Sequence, residues 1–330
     1  MLVDSFGRVA TDLRVSLTDR CNLRCTYCMP PEGLDWLPKP DLLTAEEITR
    51  LVAIGVERLG VTEVRYTGGE PLLRRELVEI VAATTRLDPR PQVSLTTNGI
   101  GLARLAAPLA EEAGLDRVNV SLDTLDRDVF VRLAHRDRLR DVVDGLAAAE
   151  RAGLTPVKIN TVLMRGINEH EAVPLLRFSL DHGYELRFIE QMPLDAQHGW
   201  RREDMVTADE ILGLLKDSFD LSEDDPSGRG SAPAELFLVN GGPARVGVIG
   251  SVTRPFCGAC DRVRLTADGQ IRNCLFATEE SDLRTALRSG ASDEDLASRW
   301  IAAVRGKKAG HGIDDPSFLQ PSRPMSAIGG

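Results

Sequence analysis

The chain has 330 residues, 42% of them hydrophobic and 27% charged, which supports one large α/β core with a smaller appendage and argues against disorder. A net charge of −10 speaks against nonspecific binding to nucleic acid or an anionic membrane, because such binders carry a basic face. The first ten residues mix Asp4 and Arg8 with apolar residues and show no leader pattern, and no run approaches the roughly 18 apolar residues of a membrane span, so a cytoplasmic protein is expected.

In chain order, short runs rich in Val, Ile and Leu predict strands at 13–17, 61–66, 92–96, 117–121, 156–163 and 185–190. Helices lie between them. Thr44-Ala-Glu-Glu47 has the capping-box spacing ahead of a helix at 48–59, and Thr207-Ala-Asp-Glu210 repeats it ahead of 211–215. Gly60, Gly114, Gly153 and Gly183 sit where four helices should end. Strand followed by helix, six times over, implies a parallel sheet with right-handed crossovers. The polar, chemistry-bearing residues fall after several different strands: Thr67-Gly-Gly-Glu70, Thr96–Asn98, Ser121 and Met192. That spread favours an incomplete (β/α)6 barrel of TIM type over an open sheet, which gathers ligands at one switch point.

Beyond Phe219 the pattern changes. Residues 221–234 are rich in Ser, Asp, Gly and Pro and read as a linker, followed by strand-like segments at 236–239 and 245–249. A smaller C-terminal domain is expected over 225–330, after a first domain at 1–224. Helices are expected at 282–288 and 293–304, and 306–330 reads as an extended tail.

The six cysteines suggest ligation or catalysis before disulfides, since cytosolic thiols stay reduced. Cys21, Cys25 and Cys28 form a C-x3-C-x2-C loop just after the first strand. A cubane cluster has four irons, so three cysteines leave one open. Its most economical occupant is the amino and carboxylate groups of S-adenosylmethionine (SAM). Zinc is the alternative, although the loop offers no second C-x2-C pair and the closest histidine in sequence is His135. In the Thr67-Gly-Gly-Glu-Pro71 turn, two glycines permit close backbone approach and Glu70 can accept from an ammonium.

Cys257, Cys260 and Cys274 form a second three-cysteine set, which a structural zinc completed by His311 would also satisfy. Arg262 and Arg264 follow it. Alternate positions on an extended segment point to the same side, so both guanidiniums can face one ligand. Arg14, Arg65 and Lys158 also lie in or beside motifs, and five cations in one cavity would hold a small polyanion.

Taken together, C-x3-C-x2-C, GGEP, the C-terminal C-x2-C-x13-C, the Arg-x-Arg and the terminal Gly329-Gly330 resemble the GTP 3′,8-cyclase family (molybdenum cofactor biosynthesis protein A) of the radical SAM superfamily. The resemblance spans nearly the whole chain, with no departure at a motif position and no recognisable signal in the linker. It implies that Cys21, Cys25 and Cys28 bind a SAM-coordinating [4Fe–4S] cluster, and that Cys257, Cys260 and Cys274 bind a second cluster facing the guanine of GTP. It assigns SAM contacts to Tyr27, Gly69, Ser121 and Met192, and GTP contacts to Arg14, Arg65, Thr96, Lys158, Arg262 and Arg264. Gly329 and Gly330 would support catalysis from the tail.

The implied reaction is hydrogen abstraction from the ribose 3′ carbon of GTP, attack of that carbon on C8, and one-electron reduction, giving (8S)-3′,8-cyclo-7,8-dihydroguanosine 5′-triphosphate. The implied partners are GTP, SAM, a one-electron donor such as flavodoxin or ferredoxin, a downstream cyclic pyranopterin monophosphate synthase and a second copy in a homodimer. A peptide-modifying radical SAM enzyme and a non-catalytic iron–sulfur or zinc protein are the rival classes. The first usually carries more auxiliary cysteines; the second leaves GGEP and Arg-x-Arg without a task.

Overall fold

The computed structural model describes residues 1–329. Six parallel strands follow one another across the sheet: β1 (Asp12–Ser16), β2 (Glu63–Thr67), β3 (Gln92–Thr97), β4 (Arg117–Ser121), β5 (Lys158–Val162) and β6 (Glu185–Ile189). Each expected strand is present within two residues of its expected bounds. Helices α1 (Ala45–Ala53), α2 (Leu77–Thr85), α3 (Leu102–Ala107), α4 (Arg127–Ala134), α5 (Leu139–Arg151) and α6 (Ala172–His182) connect them. Both capping boxes form, at the start of α1 and of α7 (Ala208–Lys216). Gly183, at φ 68°, closes α6 in the left-handed conformation that a β-carbon disfavours, and Gly60, Gly114 and Gly153 likewise take positive φ.

The C-terminal strands extend this sheet at both edges instead of building one of their own. At one edge β10 (Arg262–Leu265) runs parallel to β1, followed by β11 (Gln270–Arg272) and β12 (Ser281–Asp282), both antiparallel. At the other, β9 (Arg245–Ile249) runs parallel to β6, followed by antiparallel β8 (Glu235–Val239) and β7 (Leu221–Glu223). The expected division at 224/225 falls inside the β7–β8 pair. The segment read as a linker therefore begins as an edge strand, short and half polar, without the periodicity that would have marked it. Helix also starts later than expected near 282, at α8 (Arg284–Arg288), because Ser281 and Asp282 are taken into β12; α9 (Asp293–Arg305) follows.

Among the described residues twelve strands form one sheet, with β12 and β7 at its two ends. Its curvature follows from its side chains. Arg14, Thr96, Ser121, Arg187, Ile249 and Arg262, from six different strands, line a single cavity, which a flat sheet would not allow. The outer face is apolar: Leu13, Val15, Val64, Val93 and Val118 are fully buried beneath the helices. Among the described residues no helix is long and apolar enough to cross a membrane.

The tail corrects a further expectation. It is not extended throughout: α10 (Met325–Ile328) buries Ile328 against Leu194 and Phe276. Arg323 fastens it by a two-point bond to Asp268, at 2.9 and 2.8 Å.

Candidate functional site

The first cysteine loop leaves the C-terminal end of β1 and is folded against the GGEP turn after β2. Gly69 N–H donates to the Thr18 carbonyl at 2.7 Å and Glu70 N–H to the Arg20 carbonyl at 2.8 Å. A β-carbon on Gly69 would lie 2.4 Å from the carbonyl oxygens of Asp19 and Arg20, and one on Gly68 would lie 2.4 Å from that of Thr18. The glycines thus admit the backbone that leads into Cys21. Glu70 is fully buried, and its carboxylate accepts from Leu72 N–H (2.9 Å), the Thr97 hydroxyl (2.7 Å) and Asn98 N–H (2.7 Å). These bonds hold the turn to the end of β3.

Burial pushes the Cys21 thiol up to about 11 and the Cys28 thiol up to about 12, and drives Cys25 well above the ordinary range. The charges of Cys21 and Cys28 add to the rise at Cys25, and that of Cys21 to the rise at Cys28, so the three thiols lie near enough to repel one another when ionised. Three such thiols become thiolates only around a strongly positive centre, which is the chemistry of an iron cluster. Asn98 Nδ2 lies 3.6 Å from Cys21 Sγ and bonds Asn22 Oδ1 at 2.7 Å, steadying the loop's first sulfur.

A cavity of about 250 Å³ opens inside the curved sheet. Of the expected SAM contacts, Tyr27, Ser121 and Met192 line it, and the Tyr27 hydroxyl donates to Asp123 Oδ2 at 2.8 Å. Of the expected GTP contacts, Arg14, Arg65, Thr96, Arg262 and Arg264 line it. Arg264, Arg14 and Arg65 are register neighbours on β10, β1 and β2, so their guanidiniums stand abreast. Arg262 lies over the Phe256 ring, 4.9 Å from its centroid. The second cysteine set, Cys257, Cys260 and Cys274, lines the same cavity.

The electrostatics are those of a site prepared for an anion. Burial, then the charge of Arg14, lowers the pKa of Arg264 to about 9 and holds Arg65 well below the usual range. Asp12 is the nearest compensating carboxylate; its burial is outweighed by Arg14, Arg65 and Arg262, which keep its pKa low. Asp12 beside the row and Asp123 in the cavity wall are two carboxylates against the five guanidiniums of Arg14, Arg65, Arg187, Arg262 and Arg264, which leaves a net positive field in a low-dielectric cavity.

Two expected residues lie elsewhere. Lys158 does not line the cavity, because its cross-strand neighbour Glu185 takes its ammonium at 2.9 Å. Gly69 is half-buried in the turn and does not line this cavity. Gly329 is buried with φ 86°; a β-carbon there would sit 2.8 Å from Thr67 Cγ2, and its carbonyl accepts from Arg264. Gly330 lies outside the described residues. His311 lines the cavity, yet its Nε2 bonds the Ser251 carbonyl at 3.0 Å and its Nδ1 accepts from Ile313 N–H at 3.1 Å, leaving neither nitrogen for a metal.

Sequence reasoning missed Asp123, Arg187, Phe256 and Lys307. Arg187 lines the cavity and donates to Asn119 Oδ1 at 2.7 Å. Its local signal was weak, a lone arginine between Leu186 and Phe188 in a strand that opens with Glu185. In the second cysteine set, burial would raise Cys260, but the charges of Arg262 and Lys307 bring it down to about 7. Cys274 is raised by burial and by Cys260 and Cys257, which again places three sulfurs together. These donors fit a second cluster.

Comparison with known proteins gives matches along the chain. The family model described as Radical SAM superfamily matches residues 15–179, and Molybdenum Cofactor Synthesis C matches 184–313. A GTP 3′,8-cyclase of Streptomyces coelicolor is 68% identical over 330 residues, covering 100% of this chain and 96% of that protein. A GTP 3′,8-cyclase of Mycobacterium sp. strain KMS is 64% identical over 329 residues, covering 100% and 93%. Among solved structures, Streptococcus suis SuiB bound to S-adenosylmethionine superposes with a TM-score of 0.60 at 14% identity, covering 91% of this chain and 68% of that one. At that identity the likeness concerns the fold alone.

Proposed function

The chain belongs to the GTP 3′,8-cyclase family of radical SAM enzymes, and on that premise we propose that one cavity holds SAM toward the first cysteine loop and GTP toward the second. Its activity is the cyclisation of GTP to (8S)-3′,8-cyclo-7,8-dihydroguanosine 5′-triphosphate, the opening step of molybdenum cofactor biosynthesis. The enzyme uses a [4Fe–4S] cluster that, once bound, supplies an electron to split SAM into methionine and a 5′-deoxyadenosyl radical. We assign that cluster to Cys21, Cys25 and Cys28, and a second to Cys257, Cys260 and Cys274.

The observation that carries the assignment is the meeting of five arginines (Arg14, Arg65, Arg187, Arg262 and Arg264) with the second cysteine set in the cavity that Tyr27 and Ser121 also line. Guanidiniums standing abreast match phosphate oxygens in two-point geometry and take a triphosphate at the depth of β1 and β2. The base then lies toward Cys257, Cys260 and Cys274, with Thr96 offering its hydroxyl between. Tyr27, Ser121 and Met192 take SAM at the first-loop end, and Asp123 fixes the Tyr27 ring. Gly69 contributes by letting the cysteine loop pack close, and Lys158 reaches the nucleotide only by exchanging Glu185.

Arg264 holds the Gly329 carbonyl, so a phosphate arriving there competes with the tail and couples substrate binding to tail position. Phe256, Phe276 and Ile249 supply apolar walls that keep water from a reactive carbon centre. The protein's contribution is position: the ribose is held with its 3′ carbon toward SAM. We assign residues 1–224 to SAM cleavage and 225–330 to GTP and the second cluster, as a division of tasks within one sheet. A cytoplasmic one-electron donor such as flavodoxin or ferredoxin and hand-off of product to a cyclic pyranopterin monophosphate synthase complete the proposal.

Anaerobic reconstitution with iron and sulfide, then assay of 5′-deoxyadenosine with and without GTP, tests it. Formation of 5′-deoxyadenosine with matched consumption of GTP is expected; 5′-deoxyadenosine without GTP conversion would overturn the substrate assignment.

A further inference from the structure

Lys307 follows α9 and is 5% exposed. Its ammonium directs its three protons at the second cysteine pair: Nζ donates to the Cys260 carbonyl at 3.0 Å, the Arg262 carbonyl at 2.9 Å and Cys260 Sγ at 3.3 Å. Among the described residues it meets no carboxylate.

Arg8 gives the contrast. It also reaches this loop, donating to the Cys257 carbonyl at 2.7 Å and to the Lys308 and Ala309 carbonyls at 2.6 and 2.9 Å. Asp4 Oδ2, however, sits 2.6 Å from its Nε, so Arg8 is half of a neutralised pair that ties the N-terminal hairpin to the loop. Lys307 has no such partner, and its neighbour Arg262 is a second cation. A buried charge without a counter-charge costs several kcal/mol, and a fold retains one where negative charge is brought to it. The group that Lys307 faces is the sulfur set of Cys257, Cys260 and Cys274.

We propose that Lys307 is a positioning residue for the second cluster, orienting the Cys260 sulfur and balancing the cluster's negative charge so that its reduced form is stabilised. The inference rests on the assignment of a second cluster to these cysteines. Three thiolates on a cubane core leave a net negative charge that grows when an electron is added, so a fixed ammonium with an N–H···S contact favours the reduced state more than the oxidised one.

The test is a potentiometric titration followed by electron paramagnetic resonance on the full chain carrying both clusters, comparing wild type, Lys307→Met and Lys307→Arg, with iron per chain measured first. In Lys307→Met, at a fixed potential within the wild-type transition, the reduced-to-oxidised ratio of the second cluster is expected to fall about tenfold, equivalent to 59 mV for one electron. The first cluster should stay where it was, and Lys307→Arg should restore most of the ratio. If Lys307→Met does not retain the second cluster, Lys307→Gln, which keeps a donor without charge, carries the same measurement. An unmoved second cluster, or equal shifts in both, would overturn the inference while leaving the second cluster standing. Iron sufficient for only one cluster in the wild type would remove the assignment on which it rests.

Discussion

Arg14 and Arg264 stand opposite each other in register on neighbouring parallel strands, β1 and β10, though 250 positions separate them in the chain. The pairing welds the second cysteine site to the first strand of the barrel, since Cys260 lies two residues before β10 and Cys21 five residues after β1. Cys21 and the Cys257–Cys260 pair are therefore anchored to one strand pair, with Cys274 following the adjacent β11, a better foundation for aligning two reactants than a hinge between domains.

The arginine row has a cost that the ligand relieves. Arg65 is half-buried, and its desolvation and the charge of Arg14 both disfavour its protonated form. Replacement of Arg65 by Met is expected to leave the nucleotide-free protein as stable as before or more stable, by up to about 2 kcal/mol, since exchanging buried charge for apolar bulk is commonly neutral or favourable. GTP at a hundred times its Kd should stabilise the wild type by about 2.7 kcal/mol and the variant by far less. Anaerobic thermal unfolding with and without GTP measures both. A destabilised variant with an undiminished GTP effect would count against the row as the phosphate site.

Asp123 gives a pH dependence of definite sign. Its burial raises its carboxyl from 3.8 to about 6, against the opposing bonds from Val162 N–H and the Tyr27 hydroxyl. A folded-state pKa above the unfolded one means that this group's contribution is full below about pH 3.8 and is lost as pH rises through about 6. Asp123→Asn keeps the shape and removes the titration. Its stability relative to wild type should climb between pH 4 and 6 by on the order of 2 kcal/mol and then level off. Denaturant midpoints across that range decide the matter, and a constant difference would show that Asp123 does not titrate there.

Gly69→Ala would place a β-carbon 2.4 Å from two backbone carbonyls ahead of Cys21. Neither can yield without moving the cysteine loop. The variant is expected to lose the first cluster and SAM cleavage while keeping the second cluster's absorbance and its binding of GTP. Normal loading of both clusters would show that the turn has slack that the packing does not reveal.

How much of this was legible beforehand depended on whether the signal was local. Cysteine spacing, capping boxes and helix-ending glycines depend on neighbours within a few residues, and Thr44, Thr207 and Gly183 all behave as their sequence context implies. That Lys158 does not line the cavity was not legible, because the residue of β6 that pairs with it, Glu185, is a cross-strand fact. Arg187 was overlooked for the converse reason: it lies in no motif, and only the register of β4, β5 and β6 turns it toward Asn119 and the cavity. The strand at Leu221–Glu223 and the burial of Ile328 were invisible because each is fixed by a partner far along the chain.

The second cysteine set should be separable from the first. Cys274→Ala is expected to retain SAM cleavage, since the first loop shares no ligand with it, while formation of the cyclic product falls by at least about tenfold, the consequence of roughly 1.4 kcal/mol lost from positioning. Liquid chromatography of both products reads this directly, and full cyclisation would refute a role for the second set.

The central claim is that a single cavity holds the ribose of GTP within reach of SAM. The most direct test supplies the reconstituted protein with SAM, a reductant and GTP deuterated at the 3′ carbon, then examines 5′-deoxyadenosine by mass spectrometry. Deuterium is expected in the 5′-deoxyadenosine and is expected to be lost from the cyclised nucleotide. Unlabelled 5′-deoxyadenosine formed alongside the cyclic product would contradict that claim.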